Sequence, residues 1–230
     1  MTDSFFVEGG ASKEYKMVPV GTHLGRCFRI VDLGTQKATY EGNTKFLRKV
    51  RVYWELHGED DKGEPLVTDK GEPLAMQKDY NLTFAEKSTL RKDIQNWFGV
   101  QFTDEEALRY DLRKILDKWG MINVVHAVSN GKTYANVGSI TSVPSIIAKH
   151  GLPDPHNELQ MFRIASPDLE LFAKFPRSLK SRIFMSPEGQ DMKKRHNLPD
   201  VEAYQNDKAA PQKQSGKSSG FDDMEDDIPF

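Results

Sequence analysis

Residues 45–57, Lys-Phe-Leu-Arg-Lys-Val-Arg-Val-Tyr-Trp-Glu-Leu-His, constrain the fold more than any other stretch. Successive side chains of an extended chain point to opposite sides. Val50, Val52, Trp54 and Leu56 therefore share one face, and Lys49, Arg51, Tyr53 and Glu55 share the other. Between Lys45 and Tyr53 there are four basic residues and no acid. The pattern predicts a half-buried strand whose open face is cationic and carries one aromatic ring.

Upstream, residues 1–20 contain Gly9-Gly10 and Pro19 and read as an N-terminal arm. Gly21 to Leu33 has strand character with apolar residues on both faces, as in a strand bending round a barrel, and Gly25 is a plausible bend or bulge. Gly34 is expected to open a loop that runs to about Thr44. Downstream, the Gly-, Asp- and Glu-rich stretch 58–71 reads as a loop or hairpin tip. Lys78, Tyr80, Leu82 and Phe84 then alternate in a third strand.

The period changes at Ser88. Leu90, Ile94, Trp97 and Phe98 recur at helical spacing up to Gly99. Thr103 and Glu106 form a capping box for a second helix with the stripe Leu108, Leu112, Ile115 and Leu116, ending at Gly120. Strands at 121–128 and 132–140 are joined by Asn130-Gly131, a strong hairpin signal. Three strands, a helical insert and two more strands are the layout of an OB-fold, a five-stranded, partly open Greek-key barrel. The fold class is thus mainly β with an α insert. This domain covers 21–145, and a C-terminal extension over 146–204 packs on it. In the extension Leu171, Phe175, Leu179 and Ile183 have helical spacing, and Pro176 suits a first turn. Residues 205–220 are a flexible linker rich in Gln, Lys, Ser and Gly.

Charge is segregated along the chain. The formal net charge is −2, yet positions 13–53 hold nine Lys/Arg against three acids. Local field matters more to an anionic ligand than the total. The acidity gathers in 221–230, Phe-Asp-Asp-Met-Glu-Asp-Asp-Ile-Pro-Phe. A solvated tail would account for Asp222, Asp223, Glu225, Asp226 and Asp227. A peptide built to be gripped accounts also for Ile228, Pro229 and Phe230, with Phe230 seated in a partner's pocket. Folding this segment back onto the basic face is a further expectation.

This tip closely resembles the C-terminal tip of bacterial single-stranded-DNA-binding proteins, a run of aspartates followed by Ile-Pro-Phe. In that family the tip recruits replication, repair and recombination proteins. The body, over roughly 17–145, resembles phage-type single-stranded-DNA-binding proteins. That likeness lies in Gly-Thr-His-Leu-Gly-Arg-Cys-Phe-Arg-Ile-Val-Asp-Leu-Gly (21–34), Lys-Val-Arg-Val-Tyr-Trp-Glu-Leu (49–56), Leu-Arg-Lys-Asp-Ile-Gln-Asn-Trp-Phe-Gly (90–99) and the final hairpin. The resemblance implies an OB-fold protein that coats single strands during viral genome replication in a bacterial cytoplasm.

Binding single strands without sequence preference needs cations along the phosphates and rings for the bases. Lys45, Arg48, Lys49 and Arg51 are the candidate phosphate contacts, with Tyr53 stacking. Arg26, Arg29, Lys132 and Tyr134 extend the set, and Phe46 could stack or pack. The plain alternative is that Lys and Arg on surface strands blunt edge pairing. Trp54, Trp97 and Trp119 sit among core residues and read as structural.

Other classes have weaker support. Gly131-Lys132-Thr133 and Gly216-Lys217-Ser218 mimic the end of a phosphate-binding loop, but His126 and Pro211 stand where its first glycine belongs. The six histidines show no metal-ligand spacing, and the single cysteine, Cys27, excludes an intramolecular disulfide and a cysteine-cluster zinc site. No enzyme activity, metal or cofactor is expected. No apolar run is long enough for a membrane, the start lacks a secretory pattern, and cytoplasmic residence follows as the expectation. A replisome adaptor that never touches nucleic acid, and an RNA-binding barrel, stay open as alternatives. The oligomeric state is open as well.

Overall fold

A computed structural model describes residues 16–40 and 43–201. The chain runs β1 (Gly21–Tyr40), β2 (Asn43–His57), β3 (Ala75–Asn81), α1 (Thr89–Phe98) and α2 (Asp104–Leu108). After a 3-10 turn over Leu112–Ile115 come β4 (Trp119–Ser129), β5 (Lys132–Thr141), α3 (Ser145–His150) and β6 (Gln160–Phe162). Three short helices follow, α4 (Leu169–Lys174), α5 (Arg177–Phe184) and α6 (Pro187–Arg195). The molecule is mainly β. One sheet of six strands has the order β3-β2-β1-β4-β5, antiparallel along that path, and β6 joins β1 in parallel.

β1 organises this sheet because it has three partners. One edge pairs with β2 along most of its length. The other edge pairs with β4 over 21–26 and with β6 over 29–31. The change of partner coincides with a register shift between Cys27 and Arg29, where an extra residue bends the strand. Both faces of β1 are consequently buried. Cys27 and Ile30 enter a core with Val52, Trp54, Ile94, Trp97 and Ile122. Val31 and Leu33 enter a second core with Phe162, Phe172, Phe175, Leu179 and Ile183 from the C-terminal extension.

Several sequence expectations change. β1 passes through Gly34 and reaches Tyr40 instead of yielding to a loop. Gly34 is a bulge at φ 69°, and its N–H donates to Asp32 Oδ1. A Cβ there would lie 2.2 Å from Ser186 Oγ, so only glycine lets α6 dock at this point. Gly25, expected to bend, sits in regular pairing with Leu56 and Gly120. Its role is close packing, since a Cβ would meet Ile122 Cγ1 at 2.7 Å. β3 spans Ala75–Asn81, earlier than the alternation of 78–84 suggests.

The first helix and the capping box of the second form as expected, with Ser88 and Thr103 as caps. The second helix then breaks after Leu108, which is 82% exposed. Tyr110 turns inward to stack on Phe84, and Asp111 restarts the chain by accepting from Arg113 N–H. Aromatic packing has overridden the leucine stripe. The Asn130-Gly131 turn has both residues at positive φ, 49° and 72°, and pairs Ser129 with Lys132 as its sequence demands. Trp54 and Trp97 are buried in the first core, and Trp119 lies against the His57 ring.

Candidate nucleic-acid interface

The odd-numbered face of β2 was expected to be open. The structure covers it. Glu55 has no exposed surface and is the centre of a clasp. Arg26 donates from Nη1 to Glu55 Oε1 at 2.7 Å and from Nε to Asp117 Oδ1 at 2.6 Å. Asn157 donates to Glu55 Oε2 through its backbone N–H (2.7 Å) and its side-chain amide (2.6 Å), and His156 N–H reaches Oε1 at 3.1 Å. Burial alone would raise the Glu55 carboxyl, but the Arg26 guanidinium and these amide donors hold it down at about 2. The clasp ties the segment before β6 to the sheet. Arg26, 3% exposed, is therefore no phosphate contact; its charge is spent on Glu55 and Asp117.

Arg29 and Tyr53 are likewise engaged. The Arg29 guanidinium lies 5.1 Å from the Phe28 ring centroid, 5.3 Å from Tyr53 and 5.8 Å from Phe175, while Nε donates to Gln160. Burial lowers the Arg29 pKa and raises that of the Tyr53 phenol. Tyr53 packs against the second core, so its face is not open to a base. Arg51 is held by Asp79 through two hydrogen bonds of 2.5 and 2.9 Å. The expectation that Arg51 and Tyr53 form an open groove is corrected: the C-terminal extension and β3 occupy that side.

What is open lies further along the same strand. Beyond Lys49, β1 and β2 continue as a two-stranded ribbon. Phe46, opposite Lys37, is 68% exposed. Arg48, opposite Thr35, has a side chain 46% exposed while donating to Asp32 Oδ2 at 2.7 Å. Lys37 is exposed, and Lys45 and Lys49 are half-buried. Phe46 and Arg48 have the same parity as Val50, Val52 and Trp54. The side of β2 that faces the core in the body thus becomes the exposed side in the ribbon. α6 and α5 steady its base, where Glu188 of α6 accepts from Thr35 N–H and Oγ1–H and Arg182 O of α5 accepts from the Gln36 amide. Lys132 is exposed and Tyr134 half-buried on the β4–β5 hairpin. That hairpin extends past the Gly21 end of β1, opposite to the ribbon. The two sets of candidates therefore leave β1 at opposite ends.

A cleft of about 610 Å³, which no sequence pattern announced, opens beside the ribbon base. Leu82 lines it, and Leu82 N–H donates to Arg48 O at 2.7 Å. Phe84 and Tyr110 stack within it, with centroids 4.5 Å apart and planes within 5°, and Phe102 meets both edge-on. Arg91, from α1, is 6% exposed and donates from Nη2 to Phe102 O at 2.8 Å. Two buried polar atoms of the lining, Arg91 Nε and Tyr110 Oη, have no hydrogen-bond partner. Burial, with Asp111 nearby, pushes the Tyr110 phenol up to about 12. Three rings from distant segments meet here only through folding.

Among the described residues no three His, Cys, Asp or Glu side chains cluster as a metal site, and no helix is long and apolar enough to cross a membrane. Asp222, Asp223, Glu225, Asp226, Asp227, Ile228, Pro229 and Phe230 lie outside the described residues, as do the linker 205–220 and residues 1–15. No protein-family model matches the chain, and no curated protein matches it.

Proposed function

We propose that this chain is a single-stranded-DNA-binding protein with an OB-fold body, and that its acidic segment 221–230 recruits replication and recombination proteins. The observation that carries the reading is Phe46, a ring two-thirds exposed on a two-stranded ribbon, set between Lys37 and Arg48. An apolar ring in water and adjacent cations match a base and its flanking phosphates. The order β3-β2-β1-β4-β5, with α1 placed between β3 and β4 in sequence and packed on β5 and β3, supports the barrel assignment. β3 and β5, the ends of that path, also approach each other. Lys45 and Lys49 extend the cationic strip, and Lys132 and Tyr134 offer a second contact region on the far hairpin.

The test is fluorescence anisotropy of a labelled oligo-dT of about thirty nucleotides, several times the smaller OB-fold footprints. Titrations at several salt concentrations, with duplex DNA and poly-U as competitors, separate the readings. Tight binding that salt weakens and duplex does not displace is the expected result. Displacement by poly-U would turn the assignment to RNA. No binding at low salt, with or without 221–230, would leave the adaptor as the better account.

A further inference from the structure

The C-terminal extension covers the side of the sheet that holds Arg51 and Tyr53, and it brings a cation of its own there. α5 packs into the second core through Leu179 and Ile183, while Arg182 stays half-buried. The Arg182 carbonyl accepts from the Gln36 amide at 3.0 Å. Gln36 is the strand partner of Leu47, the residue between Phe46 and Arg48. Arg182 is thereby fixed at the base of the ribbon, beside the strand that carries the exposed ring.

Charge around this residue is out of balance. Among the described residues the Arg182 guanidinium makes no hydrogen bond and no ion pair. The charged groups that act on it are Asp79 and Arg51. Both oxygens of Asp79 already accept from Arg51, so two guanidiniums share one carboxylate. In the clasp the ratio is reversed, and Arg26 alone meets the carboxylates of Glu55 and Asp117. Burial lowers the Arg182 pKa, and the Arg51 charge adds to the fall that Asp79 opposes. A plain surface arginine would lay its stem on apolar atoms and hold its head in water. Arg182 instead holds a partly desolvated charge that an anion from outside would balance. We propose that Arg182 is a phosphate-binding residue, which takes one phosphate of a single strand leaving the ribbon and makes the C-terminal extension part of the binding path. The inference rests on the single-strand reading above and adds to it an element outside the barrel. A guanidinium offers a phosphate two parallel N–H donors and reads no base, so the contact is independent of sequence. Arg51 stays with Asp79 and adds only its field.

The experiment compares full-length Arg182→Gln and Arg182→Lys with wild type in oligo-dT titrations at several salt concentrations. Arg182→Gln removes one phosphate contact and should reduce the slope of log K against log salt by roughly 0.7. Between about 50 and 200 mM salt it should then lose roughly two- to threefold less affinity than wild type does. Arg182→Lys keeps the charge and should keep the slope. The melting temperature of Arg182→Gln should not fall, because the substitution removes a partly buried charge that lacks its own carboxylate. A cation needed to hold Asp79 would show the reverse, a lower melting temperature with an unchanged slope, and that result would overturn the proposal.

A methylphosphonate scan gives a second readout. An oligo-dT of about twelve nucleotides, within the OB-fold footprint range, carries one uncharged linkage at each position in turn. The expected result is a linkage whose neutralisation weakens wild-type binding severalfold and leaves Arg182→Gln unaffected. Identical losses at every position in the two proteins overturn the proposal. Tighter binding of Arg182→Gln at low salt would give the residue to the acidic segment 221–230, which also overturns it and leaves the single-strand reading intact. Failure of wild type to bind any oligonucleotide would overturn that reading itself.

Discussion

The two halves of β2 share one strand, one alternation and nearly the same basic content, yet they do opposite things. In the body, residues 49–57, both sides are covered: Val50, Val52, Trp54 and Leu56 by the first core, and Arg51, Tyr53 and Glu55 by β3, the extension and the Arg26 clasp. In the ribbon, residues 43–48, the continuation of the core-facing side is exposed and carries Phe46 and Arg48. A cation on a strand is thus available to a ligand only where the fold leaves its side chain exposed. Arg26, Arg29 and Arg51 are held by carboxylates or rings and largely covered. Lys37 is exposed, and Arg48, although it donates to Asp32, keeps its side chain 46% exposed beside the Phe46 ring.

The largest separation between the halves should come from the clasp. Glu55→Ala leaves the Arg26 charge buried beside only Asp117, and breaking a buried pair typically costs about 3–5 kcal/mol. Thermal melts should show that loss, while oligo-dT affinity of the protein that remains folded should stay near wild type. Weakened binding without a change in melting would reverse the assignment of the two halves.

Acid should probe the same residue. The Glu55 carboxyl is held at about 2 in the folded chain against an ordinary 4.5. A depressed folded pKa contributes stability that is complete above the unfolded value and is lost as pH falls through the folded one. Wild type should therefore lose stability progressively between pH 4.5 and about 2, and Glu55→Gln should flatten the slope in that window. Equal slopes in urea melts across that range would mean that the clasp does not hold the carboxylate charged.

In the ribbon the signs exchange. Phe46→Ala should leave the melting temperature nearly unchanged, because the ring is exposed, and should weaken oligo-dT binding by roughly 1–3 kcal/mol. Tyr53→Ala, removing a ring packed on the second core, should destabilise the fold more than it weakens binding. A matched loss of affinity for both rings would dissolve the distinction. The smallest effect belongs to the single charges. Lys37→Gln and Arg48→Gln should each reduce the slope of log K against log salt by roughly 0.7, the value for one phosphate contact on a single strand. Arg26→Gln should leave the slope of the folded protein unchanged.

Local chemistry made much of this architecture readable beforehand. The alternation at 50–56, the helix of Leu90, Ile94 and Trp97, the Thr103–Glu106 capping box and the Asn130-Gly131 hairpin each state their own conformation. These signals act within about ten residues, where backbone sterics and nearest-neighbour hydrogen bonds decide. The order of strands around a helical insert followed from them. The site was less readable. Lys45, Arg48 and Lys49 fall at or near the ribbon, whereas Arg51 and Tyr53, expected on an open face, and Arg26 and Arg29, expected to extend it from the first strand, are engaged by Asp79, the second core, Glu55 and Gln160. The alternation shows which residues share a side; it carries no information about what covers that side.

The sequence by itself therefore determined most of the elements, their order, and which side chains travel together on each strand, but not the run of β1 through Gly34, the break after Leu108 or the short strand β6. Tertiary structure decided the rest. The extension laid its phenylalanines on Arg29 and Tyr53, Asn157 closed on Glu55, α6 docked against Gly34, and Tyr110 left its helix to stack on Phe84. All four contacts join residues far apart in the chain. Their stability comes from burying apolar surface and satisfying charge between segments, and those terms exist only once the segments have met.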